Sequence, residues 1–244
     1  MKHRGPGVLA IVLLASGALF SSSRSLVGRS SAHDAEQSPE DRIETGTIYA
    51  DNFYVFYLNG EKIAEDARFL PHEATRVAFA NVSGSAVYAV LARDNADPVT
   101  GLEYGDRCVG DGGLRAVFSD GTVTNADWKC KTYMYGPTNV DECFRNSSVP
   151  TCKGEPPQSG CIVEYHGYED IKDSWYLPEF DDTDWLPARE FTAEEVGWGV
   201  SPSLDEHKHL GLLDPQTVDW GQSRFIWRES LLYDNIVLCR YRRM

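Results

Sequence analysis

The stretch Ala50-Asp51-Asn52-Phe53-Tyr54-Val55-Phe56-Tyr57-Leu58-Asn59-Gly60 decides how this chain folds. The residues from Phe53 to Leu58 are all aromatic or aliphatic, types that suit a pleated, buried surface. They run into Asn59-Gly60, and a two-residue type I′ turn needs positive φ at both of its central positions. Glu61-Lys62-Ile63-Ala64 follows. The order predicts a buried strand that folds back as a hairpin.

Working outward, more strand patterns appear. In Thr75 to Ala80, Val77 and Phe79 alternate with smaller residues, and Ala86 to Ala92 has no polar interruption. Asp94 to Gly113 is polar and glycine-rich, a long loop at one end of a sheet structure. Leu114 to Phe118, a turn at Ser119-Asp120-Gly121-Thr122, and Trp128-Lys129-Cys130 read as strand, turn and strand. Tyr233 to Arg240 supplies a closing strand. Helical periodicity is poor throughout, with Thr192 to Val196 the one candidate turn of helix.

Several of these pieces resemble the galactose-binding-like β-sandwiches attached to glycoside hydrolases such as the rhamnosidases. The opening stretch resembles that family's "ADN-(apolar)-YVNG" hairpin. Gly112, Gly113, Leu114, Ala116, Phe118, Asp120, Gly121, Thr124 and Trp128 match a second strand-pair pattern. Phe180-Asp181-Asp182-Thr183-Asp184-Trp185-Leu186-Pro187-Ala188, preceded by Trp175, resembles "fDDssW-x-pA", and Arg224 to Arg228 resembles a family strand. The resemblance spans roughly 45 to 130 and 165 to 240. It implies an all-β jelly-roll sandwich, with Trp128, Trp175, Trp185 and Trp227 in its core. It also implies a structural calcium ion near a loop at the sheet edge. The loop from Asp94 to Asp111 offers Asp94, Asn95, Asp97, Glu103, Asp106 and Asp111 as oxygen donors, and calcium takes six to eight oxygens.

The N-terminus reads as a secretory signal peptide over 1–23. Lys2, His3 and Arg4 precede an apolar run from Val8 to Phe20, and Ser21 to Ser23 offer a cleavage site. An uncleaved anchor is the alternative, since Arg24 and Arg29 follow, but the run is short against the roughly 20 residues of a membrane helix. Residues 24–44 are Ser-, Arg- and acid-rich and read as a flexible leader. One sandwich then covers 45–240, with an insertion at about 136–160 marked by Pro137, Pro150, Pro156 and Pro157.

Six cysteines remain: Cys108, Cys130, Cys143, Cys152, Cys161 and Cys239. An even number on a secreted chain implies three disulfides. The expected pairs are Cys143–Cys152 as a local staple, Cys108–Cys130, and Cys161–Cys239 tying the last strand back. Sequons at Asn81 and Asn146 fit the secretory route. The formal charge of −14 argues against nucleic acid, whose phosphates would repel such a surface.

No nucleophile elbow, zinc-protease helix, phosphate loop or dinucleotide fingerprint is present, so the chain is read as not an enzyme. Gly110 to Gly113 reads as a turn. His207 and His209 beside Asp205 and Glu206, and the group Glu164, His166, Glu169 and Asp170, read as loop polarity. Asp181, Asp182 and Asp184 read as turn caps. Trp198 and Trp220, flanked by glycines, are the candidate sugar-stacking rings, because a flat ring covers the apolar face of a pyranose. The resulting expectation is a secreted, non-catalytic carbohydrate-binding or cell-surface and matrix protein. A structural or protein-interaction sandwich without a sugar site is the alternative, and a glycan hydrolase is the third reading.

Overall fold

The computed structural model describes residues 42–66, 74–103, 108–143, 160–197, 213 and 215–244. The signal peptide at 1–23, the leader up to residue 41, Asp106, Asn146, Cys152, Trp198, His207 and His209 lie outside the described residues.

Two antiparallel sheets make up the fold. The strands, in chain order, are β1 (Ile43–Asp51), β2 (Phe53–Leu58), β3 (Glu61–Glu65), β4 (Ala74–Ala80), β5 (Ala86–Arg93), β6 (Gly113–Phe118), β7 (Lys129–Tyr135), β8 (Glu164–Tyr165), β9 (Leu186–Pro187), β10 (Arg189–Phe191), β11 (Phe225–Trp227) and β12 (Asp234–Arg243). The five-stranded sheet runs β10-β11-β6-β1-β4, and the seven-stranded sheet runs β3-β2-β5-β12-β7-β8, with β9 also paired to β7. Short helical turns sit at α1 (Val140–Cys143) and α2 (Tyr168–Ile171).

The hairpin read from the opening stretch is β2–β3. Asn59 and Gly60 take φ of 51° and 86°, as a type I′ turn requires. Strand β1 starts at Ile43, two residues before the boundary read at 45. The Asp120-Gly121 turn is present too, closed by Thr122 O accepting the Phe118 N–H at 2.9 Å. It does not join a hairpin of β6 and β7, however. Those strands lie in different sheets, and the chain crosses from one to the other between Phe118 and Lys129. Thr192 to Val196 forms hydrogen-bonded turns and not a helix.

The core fills the space between the sheets. Phe56 and Tyr88 from one sheet meet Phe79 and Phe118 from the other, with ring centroids 5.0–6.1 Å apart. A second, smaller cluster covers the outer face of the large sheet, where Trp175 and Trp185 bury Ala89 and Leu238. That cover explains why Ala86 to Ala92 of β5 has no polar interruption: Tyr88 and Val90 face the main core, while Ala89 faces the second cluster. Trp128, Trp175, Trp185 and Trp227 are all buried, as the resemblance implies. Buried Arg240 pins the covering segment. Its Nε donates to Asp182 Oδ2 at 2.8 Å, and its Nη1 donates to the carbonyls of Trp175 and Leu177.

The disulfide pairing differs from the sequence expectation. Cys130 bridges Cys239, its direct neighbour across β7 and β12, and Cys143 bridges Cys161. Cys108 is also disulfide-bonded, and no free cysteine occurs among the described residues. Pairing follows from which Cα atoms the register brings within bridging distance, and sequence separation does not encode that. Among the described residues no helix is long and apolar enough to cross a membrane.

Candidate cation site

Asp51, Asp94, Glu103 and Asp111 meet at one end of the two sheets. Asp51 ends β1 opposite Gly113, the first residue of β6. Asp94 follows β5, and its N–H donates to Asn235 O at 2.9 Å. Asn52 stitches the sheets together here. Its N–H donates to Arg93 O at 2.8 Å, and its Oδ1 accepts the Asn95 N–H at 2.7 Å. Glu103 is held by its own N–H, which donates to Cys108 O at 2.8 Å.

One carboxylate oxygen from each of Asp94, Glu103 and Asp111 lies within 4.8 Å of the others. Two oxygens on opposite sides of a calcium ion stand about 4.6–5.2 Å apart, from bond lengths of 2.3–2.6 Å. The spacing therefore suits a single ion. Asp51, Asp94 and Glu103 are 1%, 0% and 2% exposed, and Asp111 is half-buried. Gly110 is required beside them, because a Cβ there would fall 1.4 Å from Asp94 Oδ2.

The electrostatics are unfavourable without a cation. Burial, and then the carboxylates of Asp111 and Glu103, push the Asp51 carboxyl well above its ordinary range, against the Tyr49 hydroxyl that lowers it. Burial also raises Asp94 well above its ordinary range, helped by Glu103, Asp51 and Asp111. Glu103 is raised chiefly by burial. Asp94 and Glu103 stand close enough to share a proton. When both are ionised neither can donate, and both Asp94 oxygens, Asp51 Oδ1 and Glu103 Oε1 are left without a donor. A buried carboxylate so placed costs several kcal/mol unless compensated. Hard oxygen donors in this number suit calcium, whereas zinc and copper favour nitrogen and sulfur.

The sequence reading placed Asp94, Glu103 and Asp111 among the donors, and the fold brings them together. Asn95 and Asp97 are exposed, and Asp97 Oδ1 instead caps the turn that follows, accepting from Val99 and Thr100. Asp51 was missed. The only signal for it was an acidic residue closing an otherwise apolar strand.

The sugar candidates fare differently. Trp220 is 7% exposed, belongs to the main core, and donates its Nε1–H to Pro215 O at 2.8 Å, with the Arg115 guanidinium over its ring. It does not present the open ring that stacking on a sugar needs, because its flanking loop folds over it. Glu164, His166, Glu169 and Asp170 are exposed. Asp181 Oδ1 accepts the Thr183 N–H, a turn cap as read, whereas Asp182 is tied to Arg240 and Lys129. Asn81 is half-buried just after β4.

The class defined so far is an antiparallel two-sheet protein with a buried carboxylate cluster. No protein-family model matches the chain, and no solved structure matches it. Among curated proteins it is similar to one described as signal peptidase I from Haemophilus influenzae (strain ATCC 51907 / DSM 11121 / KW20 / Rd), 26% identical over 150 residues. That alignment covers 53% of this chain, which spans 41% of the relative's length. The expectation that the chain is not an enzyme is corrected by this match, because the relative is one. The expectation rested on missing local motifs. Local spacing cannot exclude catalytic groups that only the fold brings together.

Proposed function

We propose that this chain is an extracellular, calcium-holding β-sandwich of jelly-roll, galactose-binding-like type, which presents loops to a glycan or a matrix component. One observation carries the cation reading: Asp94, fully buried among three other acids, has no donor for either oxygen once Glu103 is ionised. A divalent ion would satisfy those oxygens and offset the repulsion among the four carboxylates. Its place is structural, since it would join the end of β1, the end of β5 and the loop leading to β6. The disulfides support an oxidising compartment.

Isothermal titration of the chelator-treated full chain with calcium chloride tests the reading. Saturable binding of one ion, with magnesium competing poorly, is the expected result. No heat of binding up to millimolar calcium would overturn it. A glycan array run with calcium present tests the partner, and silence across the array would leave a matrix protein as the ligand class.

A further inference from the structure

The described arms of the disulfide-stapled insertion, residues 136–143 and 160–162, to which the sequence assigns no role, stand beside the acid cluster. Two physical routes join them. The first is polar. Asn235 is fully buried, and its Nδ2 donates to Gly136 O at 2.9 Å while its own carbonyl accepts the Asp94 N–H at 2.9 Å. Gly136 and Asp94 are thus both bonded to Asn235, the first by its side chain and the second by its backbone carbonyl.

The second route is apolar. Leu102 and Val109, which bracket Glu103 and Cys108, form a small buried cluster with Cys143, and Val140, Cys161 and Tyr233 pack against it. Gly101, at φ +70°, lies so close to the insertion that a Cβ would come within 2.6 Å of the Gly136 carbonyl carbon. The insertion's two arms hold each other. Thr138 N–H donates to Ile162 O at 2.8 Å, Asn139 Oδ1 accepts the Ile162 N–H at 2.8 Å, and the Cys143–Cys161 bridge closes them. Without the bridge, the wall against which Leu102 rests loses the covalent link between these two arms.

We propose that the Cys143–Cys161 bridge positions Glu103 and Asp94, so that cation affinity at the cluster depends on the redox state of that bridge. The inference rests on the calcium reading above. Reduction by a dithiol breaks the S–S bond through a mixed disulfide. Two electrons and two protons end on the Cys143 and Cys161 thiols, and the reductant leaves as its own disulfide. Because coupling between sites is reciprocal, bound calcium must in turn protect the bridge.

Two measurements on the full chain test this. Calcium titration should show affinity about tenfold weaker in the C143S/C161S double variant than in the oxidised wild type, within the usual range for coupled sites, with the far-ultraviolet dichroism of the sheets retained. In the wild type, saturating calcium should slow reduction of Cys143–Cys161 by dithiothreitol relative to Cys130–Cys239, read by alkylation and peptide mass spectrometry. If the double variant does not fold, the second measurement decides. Wild-type affinity in the folded double variant, or reduction rates indifferent to calcium, overturns the inference alone. No calcium binding by the oxidised wild type overturns the cation reading and this inference with it.

Discussion

Replacing Asp94 by Asn should change stability in opposite directions with and without calcium. The side chain is fully buried, and burial and three neighbouring acids raise its carboxyl. Asn keeps the shape, removes one repelling charge and adds an amide that can donate to a neighbouring carboxylate. In chelator the variant should therefore melt above the wild type. With calcium the order reverses. An ion at a hundred times its dissociation constant stabilises a folded protein by about 2.7 kcal/mol. For a chain of this size each kcal/mol moves the melting point by about 2–4 °C. The wild type should then gain roughly 5–11 °C from calcium, from the same two relations, while Asp94→Asn gains almost nothing. Differential scanning calorimetry in chelator and in calcium reads all four values. A calcium shift of wild-type size in the variant would refute the assignment of Asp94 as a ligand.

Three further outcomes follow from the packing. Trp220→Ala should behave as a core truncation and lose about 3–5 kcal/mol in urea unfolding, and an unchanged midpoint would show that the ring is dispensable to the core. Gly60→Val places a branched side chain at φ +86° and a Cβ 3.0 Å from Leu177 Cδ2, so it should cost about 1–3 kcal/mol by thermal melting; no loss would mean the turn relaxes. Burial raises the Asp182 carboxyl, but hydrogen bonds from Arg240 and Lys129 outweigh it, so the group sits below its ordinary range. A folded pKa below the unfolded value near 4 means its stabilisation is present above that value and lost as pH falls through the folded one. Asp182→Asn should therefore flatten the acid limb of the stability curve below about pH 4, and an acid limb as steep as the wild type's would show that the ion pair does not contribute to it.

Much of the β structure was legible because strand signals are local. Phe53 to Leu58 with Asn59-Gly60 specifies its hairpin within a dozen residues, and Ala86 to Ala92 announces burial on both faces. The site was half legible. The acids at 94, 103 and 111 share one glycine-rich loop, so composition alone gathers them. Asp51 lies 43 positions before Asp94, and only the antiparallel register that sets β1 beside β6 carries it into the cluster. Trp220 was misread for a similar reason, because flanking glycines permit a ring to be exposed or covered, and the loop's own path decides which.

The sequence by itself determined the alternation of buried strands and turns, the paired cysteines and the reserve of carboxylates in the loop from Asp94 to Asp111. These are properties of residues and their near neighbours, where backbone preference and hydrophobic period act. The tertiary structure alone decided that β6 and β7 part into different sheets, that Cys130 meets Cys239 and Cys143 meets Cys161, and that four acids converge at one end of the two sheets. Each of those outcomes depends on register between strands distant in sequence, which is set by the joint packing of two sheets and by no short run of residues.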